Sequence, residues 1–560
     1  MPLFSSSLFG SGLSARPPPV AVNDRPIPKA AGRPASRPAP KALQAGSRLQ
    51  RPAPRLLRPA PKAQRAARPV SRKPKPAPAS KAVRTGSGVP ARPVPAPTRP
   101  PCSGAPAASS NASFWTFSVP AALRGHLDSW GLRMRHTIDE IRTAWLQSCG
   151  VSAFRRFGQV GFRLGTDCSG AEAPVWSLRA LRLPFEHVFS CDSNPRVRKF
   201  IASCCPPTMS IFDDMLSRDL DAVPAVDVYV CGFPCTPYSS LRSHRTKLFK
   251  EPAAKPYFAV LKYLKHRRPA LAVLENVKGL RRVIRRVLDD LEKLKWYFVF
   301  WMMIDSEDFG EPVSRPRCYF LLIRRDACIS SDVSQIAEFC KRCLTGTRSP
   351  VQTHVSRRMF PNDSPEVKAW MKKTTSISAR QTDTTGQKWL KKHEEFRRGL
   401  GVQGFRASGL QVVRSARQRE VFSMQTQARG KDITIDVSQS IERAHARTTG
   451  VMPTITPRGV CIVGVLDRPV LPCEKLLLHG FPLHRMQIPS EITDADLASM
   501  GGNTMHLHSV GLALLMGLSL LRDHLPTALP AQCPEKVVPA QFVSISEPDR
   551  VSNGKRRRLS

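Results

Sequence analysis

Short apolar segments alternate with longer amphipathic ones between Phe162 and Ile323, and several of the short ones end at glycine, proline or an acidic residue. Their length and their content of valine, isoleucine and phenylalanine predict buried strands, and the segments between them predict helices that cover a sheet. One predicted helix has its apolar residues on a single face: Val283, Ile284, Val287, Leu288, Leu291 and Leu294. The alternation predicts an α/β fold with a parallel sheet.

The segment DVYVCGFPCTPYSSL (227–241) contains the clearest of these strands. Val228–Cys231 predicts a buried strand, and Gly232 and Pro234 end it in a tight turn that carries Cys235. Because ligands bind where the strands of an open α/β sheet end, this thiol is well placed for chemistry. The alternative is that Cys235 is an ordinary buried cysteine.

Other predicted strands also end in groups that could bind a ligand. Gly165 and Gly170 lie in a loop before a helix, where backbone N–H groups can meet a ligand. Asp192 follows the next strand at a spacing suited to a ribose hydroxyl, or it caps the helix that comes after it. Asp213 and Asp214 follow a third strand. Together these residues predict a nucleoside-binding edge.

Charged residues continue the series further along the chain. Glu275 lies at the end of the apolar segment LAVLENVKGL (271–280), where a carboxylate is costly unless it is paired or used. Arg315 and Arg317 alternate just before the next apolar strand, so we expect both side chains to face one side. The sequence therefore predicts a second cluster of functional groups at the strand ends.

Composition narrows the class of partner. The chain has 560 residues and a formal net charge of +43, which indicates a polyanion such as nucleic acid or an acidic membrane surface. Its longest apolar run, Val510–Leu521, is shorter than the roughly 18 to 20 residues that cross a bilayer, so no membrane span is expected. The fifteen cysteines show no disulfide spacing, which indicates a reducing compartment. The single C-x-x-C at Cys340 and Cys343 lacks a second pair, and no metal site is predicted.

Both ends of the chain differ from its middle. Residues 1–112 contain 24 of the 52 prolines and 20 Lys/Arg against one acid, and we expect a disordered basic arm. Residues 113–158 predict a helical lead-in, and 531–560 a disordered basic tail. The tail cluster Lys555–Arg558 predicts a nuclear location, whereas the serine-rich first fifteen residues favour an organelle as the alternative.

Three motifs, PC (234–235), ENV (275–277) and RPR (315–317), follow in the order found in the cytosine-5 nucleic-acid methyltransferases. The chain resembles this family, described as C-5 cytosine-specific DNA methylase. Downstream segments extend the resemblance: MPTITPRG (452–459), RPVLPCEKLLLHGFP (468–482) and GGNTMHLHSV (501–510). The resemblance implies a Rossmann-like methyltransferase sheet built from 159–325 and 447–530, with a target recognition domain inserted at 326–446.

The resemblance also implies a cofactor, S-adenosylmethionine, and a role for each matching residue. Cys235 would be the nucleophile that adds to C6 of a flipped-out cytosine, and Glu275 would hold the N3 and amine edge of the base. Arg315 and Arg317 would steady the base and Glu275. The cofactor contacts carried over are Cys168, Ser169, Gly170, Asp192 at the ribose, Asp214 at the adenine amine, Pro234 and Asn503.

The choice of substrate rests on departures from the family pattern. Cys168, Glu172 and Ala173 replace an aromatic residue and two glycines of the first loop. The sequences ENVKG and SRPR resemble the tRNA-methylating branch, but the Cys-Phe-Thr signature of that branch is absent. The long insert favours double-stranded DNA, so we predict a DNA cytosine-5 methyltransferase. The alternatives are an RNA methyltransferase of the same fold and an inactive nucleic-acid-binding relative.

Overall fold

Eight strands form one mixed sheet, and three short ones form a second sheet. The structure is a computed structural model that describes residues 113–150, 161–239, 248–378, 387–402, 412–413, 415–525 and 534–544. The predicted arm, 1–112, and the cluster Lys555–Arg558 lie outside these residues. The strands are β1 Phe162–Asp167, β2 Phe185–Cys191, β3 Ser210–Phe212, β4 Val228–Cys231, β5 Leu271–Val277, β6 Tyr297–Ile304, β7 Arg317–Arg324, β8 Thr434–Asp436, β9 Cys461–Val463, β10 Arg468–Pro469 and β11 Gln541–Phe542.

The order of the large sheet is β11-β6-β7-β5-β4-β1-β2-β3. Strands β1 to β5 pair in parallel, whereas β7 runs antiparallel to both β5 and β6. The strand order reverses between β1 and β4, whose last residues, Asp167 and Cys231, are register partners. This reversal leaves a crevice at the strand ends, so the loops after β1 and β4 lie side by side.

Helices cover both faces of the large sheet. One apolar cluster holds residues of α1, α2, α3, α6 and α12, and the cluster on the other face holds residues of α4 and α5. No helix in the described part of the chain is long and apolar enough to cross a membrane. The helices are α1 Ala121–Ser148, α2 Ala173–Ala180, α3 Pro195–Cys204, α4 Lys255–Arg267, α5 Ile284–Glu292, α6 Val333–Gly346, α7 Pro365–Ser378, α8 Gln387–Leu400, α9 Ala416–Arg429, α10 Pro472–Leu477, α11 Asp494–Asn503 and α12 Leu507–Ser519.

Helix α1 occupies most of the predicted lead-in. It buries Leu127, Trp130, Ile138 and Trp145 and packs against α2, α6 and α12. Because four large apolar side chains leave water on this face, α1 is part of the main core. Helix α1 is therefore packed on the helices that cover the large sheet.

The stretch predicted as a recognition domain, 326–446, divides between two cores. Phe339 of α6 and Val367 of α7 belong to the main cluster. A separate small cluster joins Phe422 of α9 and Ile435 of β8 to Ile462 of β9. Because β8 pairs with β9, the small unit takes strands from both the insert and the chain that follows it.

The prediction that 531–560 is disordered is wrong for residues 534–544. Strand β11 pairs in parallel with β6, and the ring of Phe542 lies 4.3 Å from that of Trp301, centroid to centroid. Val543 is buried. The cause is the free edge of β6, whose backbone groups need partners that an apolar extended segment can supply. The basic residues further along the tail led to the prediction of disorder for the whole of 531–560, so β11 was missed.

We predict that ending the chain after residue 533 lowers its stability. Burying Val543 contributes about 2 kcal/mol, and the edge pairing with β6 is lost as well. Thermal melting should therefore begin several degrees lower than in the full chain. The matched control ends after residue 544 and should melt like the full chain. Equal melting of the two truncated chains would contradict the role of β11.

Candidate active site

A cavity of about 650 Å3 opens at the strand ends beside the reversal of strand order. Its wall comes from the loops after β1, β2, β4 and β5, from the chain before β7, and from 454–457 and 499–503. Nine of the eleven residues predicted from the sequence lie on this wall: Cys168, Gly170, Asp192, Pro234, Cys235, Glu275, Arg315, Arg317 and Asn503. The structure thus brings both predicted clusters into one site.

The loop after β4 presents Cys235 to the cavity. Its carbonyl accepts hydrogen bonds from Tyr238 N at 2.9 Å and Ser239 N at 3.0 Å, which fixes a turn around the thiol. Asn276 Nδ2 donates to the carbonyl of Phe233 at 2.9 Å and fastens the loop to β5. Asn276 was not singled out from the sequence, although it lies inside the ENV motif. It is a positioning residue for the thiol.

Glu275 and Arg317 form a buried ion pair across the neighbouring strands β5 and β7. Arg317 Nε lies 3.0 Å from Glu275 Oε1, and the side chains are only 9% and 11% exposed. Burial raises the pKa of Glu275, whereas the charges of Arg317 and Arg315 oppose that rise. Removing one partner from such a pair costs about 3–5 kcal/mol, because the other charge stays buried and unpaired.

Gly232 makes room for this carboxylate. A Cβ at position 232 would lie 3.1 Å from Glu275 Oε2 and 2.8 Å from the Cε of Met505. A side chain there would press on Glu275 from the side of the cavity. The glycine of the strand-ending turn is therefore required by close approach.

Arg315 is held mainly by backbone groups. Its Nη1 donates to the Ile455 carbonyl and its Nη2 to the Gly502 carbonyl, each at 3.2 Å. Its own N–H donates to Asp305 Oδ1 at 2.6 Å. Both arginines reach the cavity, as the alternation predicted, but they differ in partner. Arg317 pairs with Glu275, and Arg315 ties together two segments from the end of the chain.

The other end of the cavity is formed by the first loop and Asp192. Asp192 Oδ2 accepts a hydrogen bond from Gly170 N at 3.0 Å, and Oδ1 accepts one from Asn194 N at 2.9 Å. The cap of α3 is Asn194, whose side chain accepts from Arg196 N. Asn194 therefore caps α3 in place of Asp192. The Asp192 side chain lies on the wall of the cavity.

Two predicted cofactor contacts do not line the cavity. Ser169 Oγ is turned into the loop, where it bonds Thr166 Oγ1 at 2.7 Å and accepts from Cys191 N at 3.0 Å. Asp214 Oδ1 accepts from Leu216 N at 2.9 Å and closes a local turn. Both side chains satisfy backbone or loop groups, and their contact with the cofactor stays a prediction.

Lys475 is a functional candidate that the sequence analysis missed. Its buried ammonium donates to the carbonyls of Thr456 at 3.0 Å, Pro457 at 3.1 Å and Gly459 at 3.0 Å. Thr456 and Pro457 are part of the cavity wall. A lysine followed by three leucines in EKLLL was the available signal, because a lysine is buried only when its charge is satisfied.

The sequence profile described as C-5 cytosine-specific DNA methylase matches residues 160–508. The chain belongs to this family. The predicted family and the α/β methyltransferase fold are thereby confirmed. C-5 cytosine-specific DNA methylases depend on S-adenosylmethionine, and the site fits that cofactor, since the Asp192 carboxylate can accept hydrogen bonds from a ribose at one end while Cys235 lies at the other.

Several relatives of this C-5 cytosine-specific DNA methylase are much longer than the matched region. The DNA (cytosine-5-)-methyltransferase DMT5 of Cryptococcus neoformans var. grubii is 23% identical over 424 residues, which cover 66% of this chain and 17% of the relative. DMT5 of Verticillium dahliae is 22% identical over 477 residues, covering 65% and 20%. The type II methyltransferase M.DsaV of Dactylococcopsis salina is 32% identical over 152 residues, covering 25% and 42%. The chain thus spans less than half the length of these relatives.

Among solved structures, the S. pombe Dnmt2 methyltransferase aligns with a TM-score of 0.40 and 13% identity, covering 63% of this chain and 98% of that one. The Entamoeba histolytica methyltransferase EhMeth aligns with a TM-score of 0.37 and 14% identity, covering 64% and 98%.

We predict that the Cys235 thiol is slow to alkylate at neutral pH and that Glu275→Gln accelerates the reaction severalfold. Burial and then the charge of Glu275 raise the pKa of Cys235, so little thiolate exists near pH 7 and alkylation should quicken as the pH rises. Removing the carboxylate charge lowers the pKa of the thiol. The measurement is iodoacetamide labelling of the Cys235 peptide, followed by mass spectrometry.

The matched control for this measurement is Glu338→Gln, which neutralises an exposed carboxylate on α6. It should leave the labelling rate unchanged. A labelling rate in Glu275→Gln equal to that of the unaltered chain would show that the carboxylate does not govern the thiol.

Proposed function

We propose that this chain is an S-adenosylmethionine-dependent DNA (cytosine-5)-methyltransferase acting on double-stranded DNA. The observation that carries the proposal is the joint placement of Cys235 and the Glu275–Arg317 pair on one cavity wall, with Asp192 at its far end. A thiol beside a buried carboxylate–arginine pair suits covalent addition to an electron-poor base. Family membership supports the same chemistry.

The Cys235 thiol loses its proton to solvent, and the resulting thiolate adds to C6 of the cytosine, so that the electrons of the C5–C6 double bond make C5 nucleophilic. When bound, the cofactor would supply the methyl group that forms a bond with C5 and would leave as its neutral thioether, S-adenosylhomocysteine. Glu275, kept in place by Arg317, holds the N3 and amine edge of the ring as its charge changes. Transfer of the C5 proton to water then lets the electrons of the C5–H bond restore the C5–C6 double bond and break the S–C6 bond, which releases the methylated base and the Cys235 thiolate.

Asn276 and Arg315 position these groups. Asn276 holds the carbonyl of Phe233 and with it the loop that carries Cys235. Arg315 joins the backbone at Ile455 and Gly502, so that the closing segments of the chain complete the cavity. Both residues fix the positions of the groups around the substrate. Their effect on the rate is large because small misplacements of reacting atoms slow the reaction by large factors.

The small unit supports DNA as the substrate. Reaching a base within a duplex requires that the base be extruded and the opening supported from outside the catalytic sheet. The unit of α8, α9 and the sheet β8–β10 lies within the insert predicted for target recognition and just after it. Helix α8 exposes Lys391, Lys392 and Arg398, which suit phosphate contacts.

The basic arm, 1–112, adds non-specific affinity for nucleic acid in this proposal. The basic tail supports a nuclear location.

We predict that Cys235→Ala abolishes methyl transfer and the covalent complex with duplex DNA that contains 5-fluorocytosine. Fluorine at C5 cannot leave as a proton, so an active thiol becomes trapped on the base. Denaturing electrophoresis measures the complex, and DNA binding should persist. The matched control, Cys149→Ala, changes a cysteine at the end of α1 and should leave trapping intact. Trapping by the Cys235→Ala chain would refute the assignment of the nucleophile.

The proposed substrate is tested separately. With labelled cofactor and equal cytosine concentrations, we expect methyl incorporation into duplex DNA to exceed that into folded tRNA. Incorporation tenfold faster into tRNA would favour the RNA-methylating alternative that ENVKG and SRPR suggested. Binding without incorporation into either substrate would favour the inactive relative.

A further inference from the structure

Two histidines and a glutamate meet where α1 packs against α12. His126 lies on α1, Glu311 in the loop between β6 and β7, and His508 in the first turn of α12. Glu311 Oε1 lies 3.0 Å from His126 Nε2 and 3.2 Å from His508 Nδ1. The side chains are 17%, 7% and 5% exposed in the order His126, Glu311, His508. The cluster is thus largely buried, and His126 is the most exposed of the three side chains.

Two of the three separations between the candidate ligand atoms match those of a tetrahedral metal centre. Zinc binds imidazole nitrogen at about 2.0–2.1 Å and carboxylate oxygen at about 2.0–2.2 Å, which places neighbouring ligand atoms about 3.3 Å apart. The two nitrogen–oxygen separations in the cluster are close to that value, and the three ligand atoms all lie within 4.8 Å of one another. An ion can therefore enter with only small movements of the side chains.

We propose that His126, Glu311 and His508 form a binding site for a divalent transition-metal ion of the zinc class. The two imidazoles and the carboxylate supply three ligands, the number typical of sites that keep a fourth position open. All three ligands line a cavity of about 510 Å3, from which a fourth ligand can enter. Arg133 and Arg358 also line this cavity, so water or a small anion is the fitting fourth ligand.

The site joins three segments that are distant in sequence. Glu311 precedes Arg315 by four residues and His508 follows Asn503 by five, so two ligands lie close in sequence to residues of the methyltransferase cavity. His126 connects both to α1. Metal binding stabilises the arrangement that brings its ligands together. In this proposal the ion fastens the lead-in helix to the segments that close the active site. The sequence predicted no metal site, because no local spacing relates these ligands.

The test uses the full chain, treated with chelator under reducing conditions and then titrated with Zn2+ and Co2+. We expect one equivalent bound per chain and visible ligand-field bands of tetrahedral Co2+ without a thiolate charge-transfer band. That signature separates this site from the free thiols of the described cysteines. Zn2+ should also raise the melting temperature of the chain.

The variants His126→Ala and Glu311→Gln should lose at least about tenfold in affinity for Co2+. In the matched control, His136→Ala, an exposed histidine on the same helix is removed, and binding should not change. If Glu311→Gln does not fold, His126→Ala decides, because that side chain is the most exposed of the three.

Three results would overturn the proposal. They are the absence of a bound equivalent, a thiolate charge-transfer band, and unchanged affinity in His126→Ala. Methyl transfer is not part of the readout, so the metal site and the proposed function can fail independently.

Discussion

The buried pair of Glu275 and Arg317 is the constraint on which the site depends. A carboxylate at the end of a central strand is tolerated only with a charged partner, and the antiparallel strand β7 supplies it. Because β7 lies between β5 and β6, Arg317 reaches the end of β5 at the register position of Val277. If the strand next to β5 ran parallel to it, the first residue of that strand would lie at the opposite end of β5, away from Glu275. The antiparallel strand thus has a chemical consequence as well as a topological one.

Polar contacts to backbone carbonyls hold the rest of the cavity wall. Asn276 fixes the loop that carries Cys235, Arg315 binds two carbonyls of the closing segments, and Lys475 binds three in the loop at 456–459. These loops have few ladder hydrogen bonds of their own, so buried side chains satisfy their carbonyls instead. The cavity is consequently shaped by long polar side chains that connect separate parts of the chain.

The main core also contains segments that a division of the sequence into consecutive domains would separate. Helix α1 packs on α2, α6 and α12, α6 and α7 contribute to the same core, and β11 returns from beyond α12 to pair with β6. The proposed His126–Glu311–His508 site lies where α1 meets the loop before β7 and the start of α12. Packing of the lead-in helix and completion of the methyltransferase cavity are therefore linked through neighbouring residues.

The sequence by itself determined the strands from β1 to β7, the family and nine residues of the cavity wall. Strand-ending residues such as Cys235, Glu275 and Asp192 could be predicted because burial pattern and turn chemistry are local properties. Only the tertiary structure decided which groups these side chains contact. It gave Arg317 rather than Arg315 to Glu275, turned Asp214 to its own backbone and ordered β11. Each outcome depends on a contact between segments distant in sequence, which no local spacing encodes.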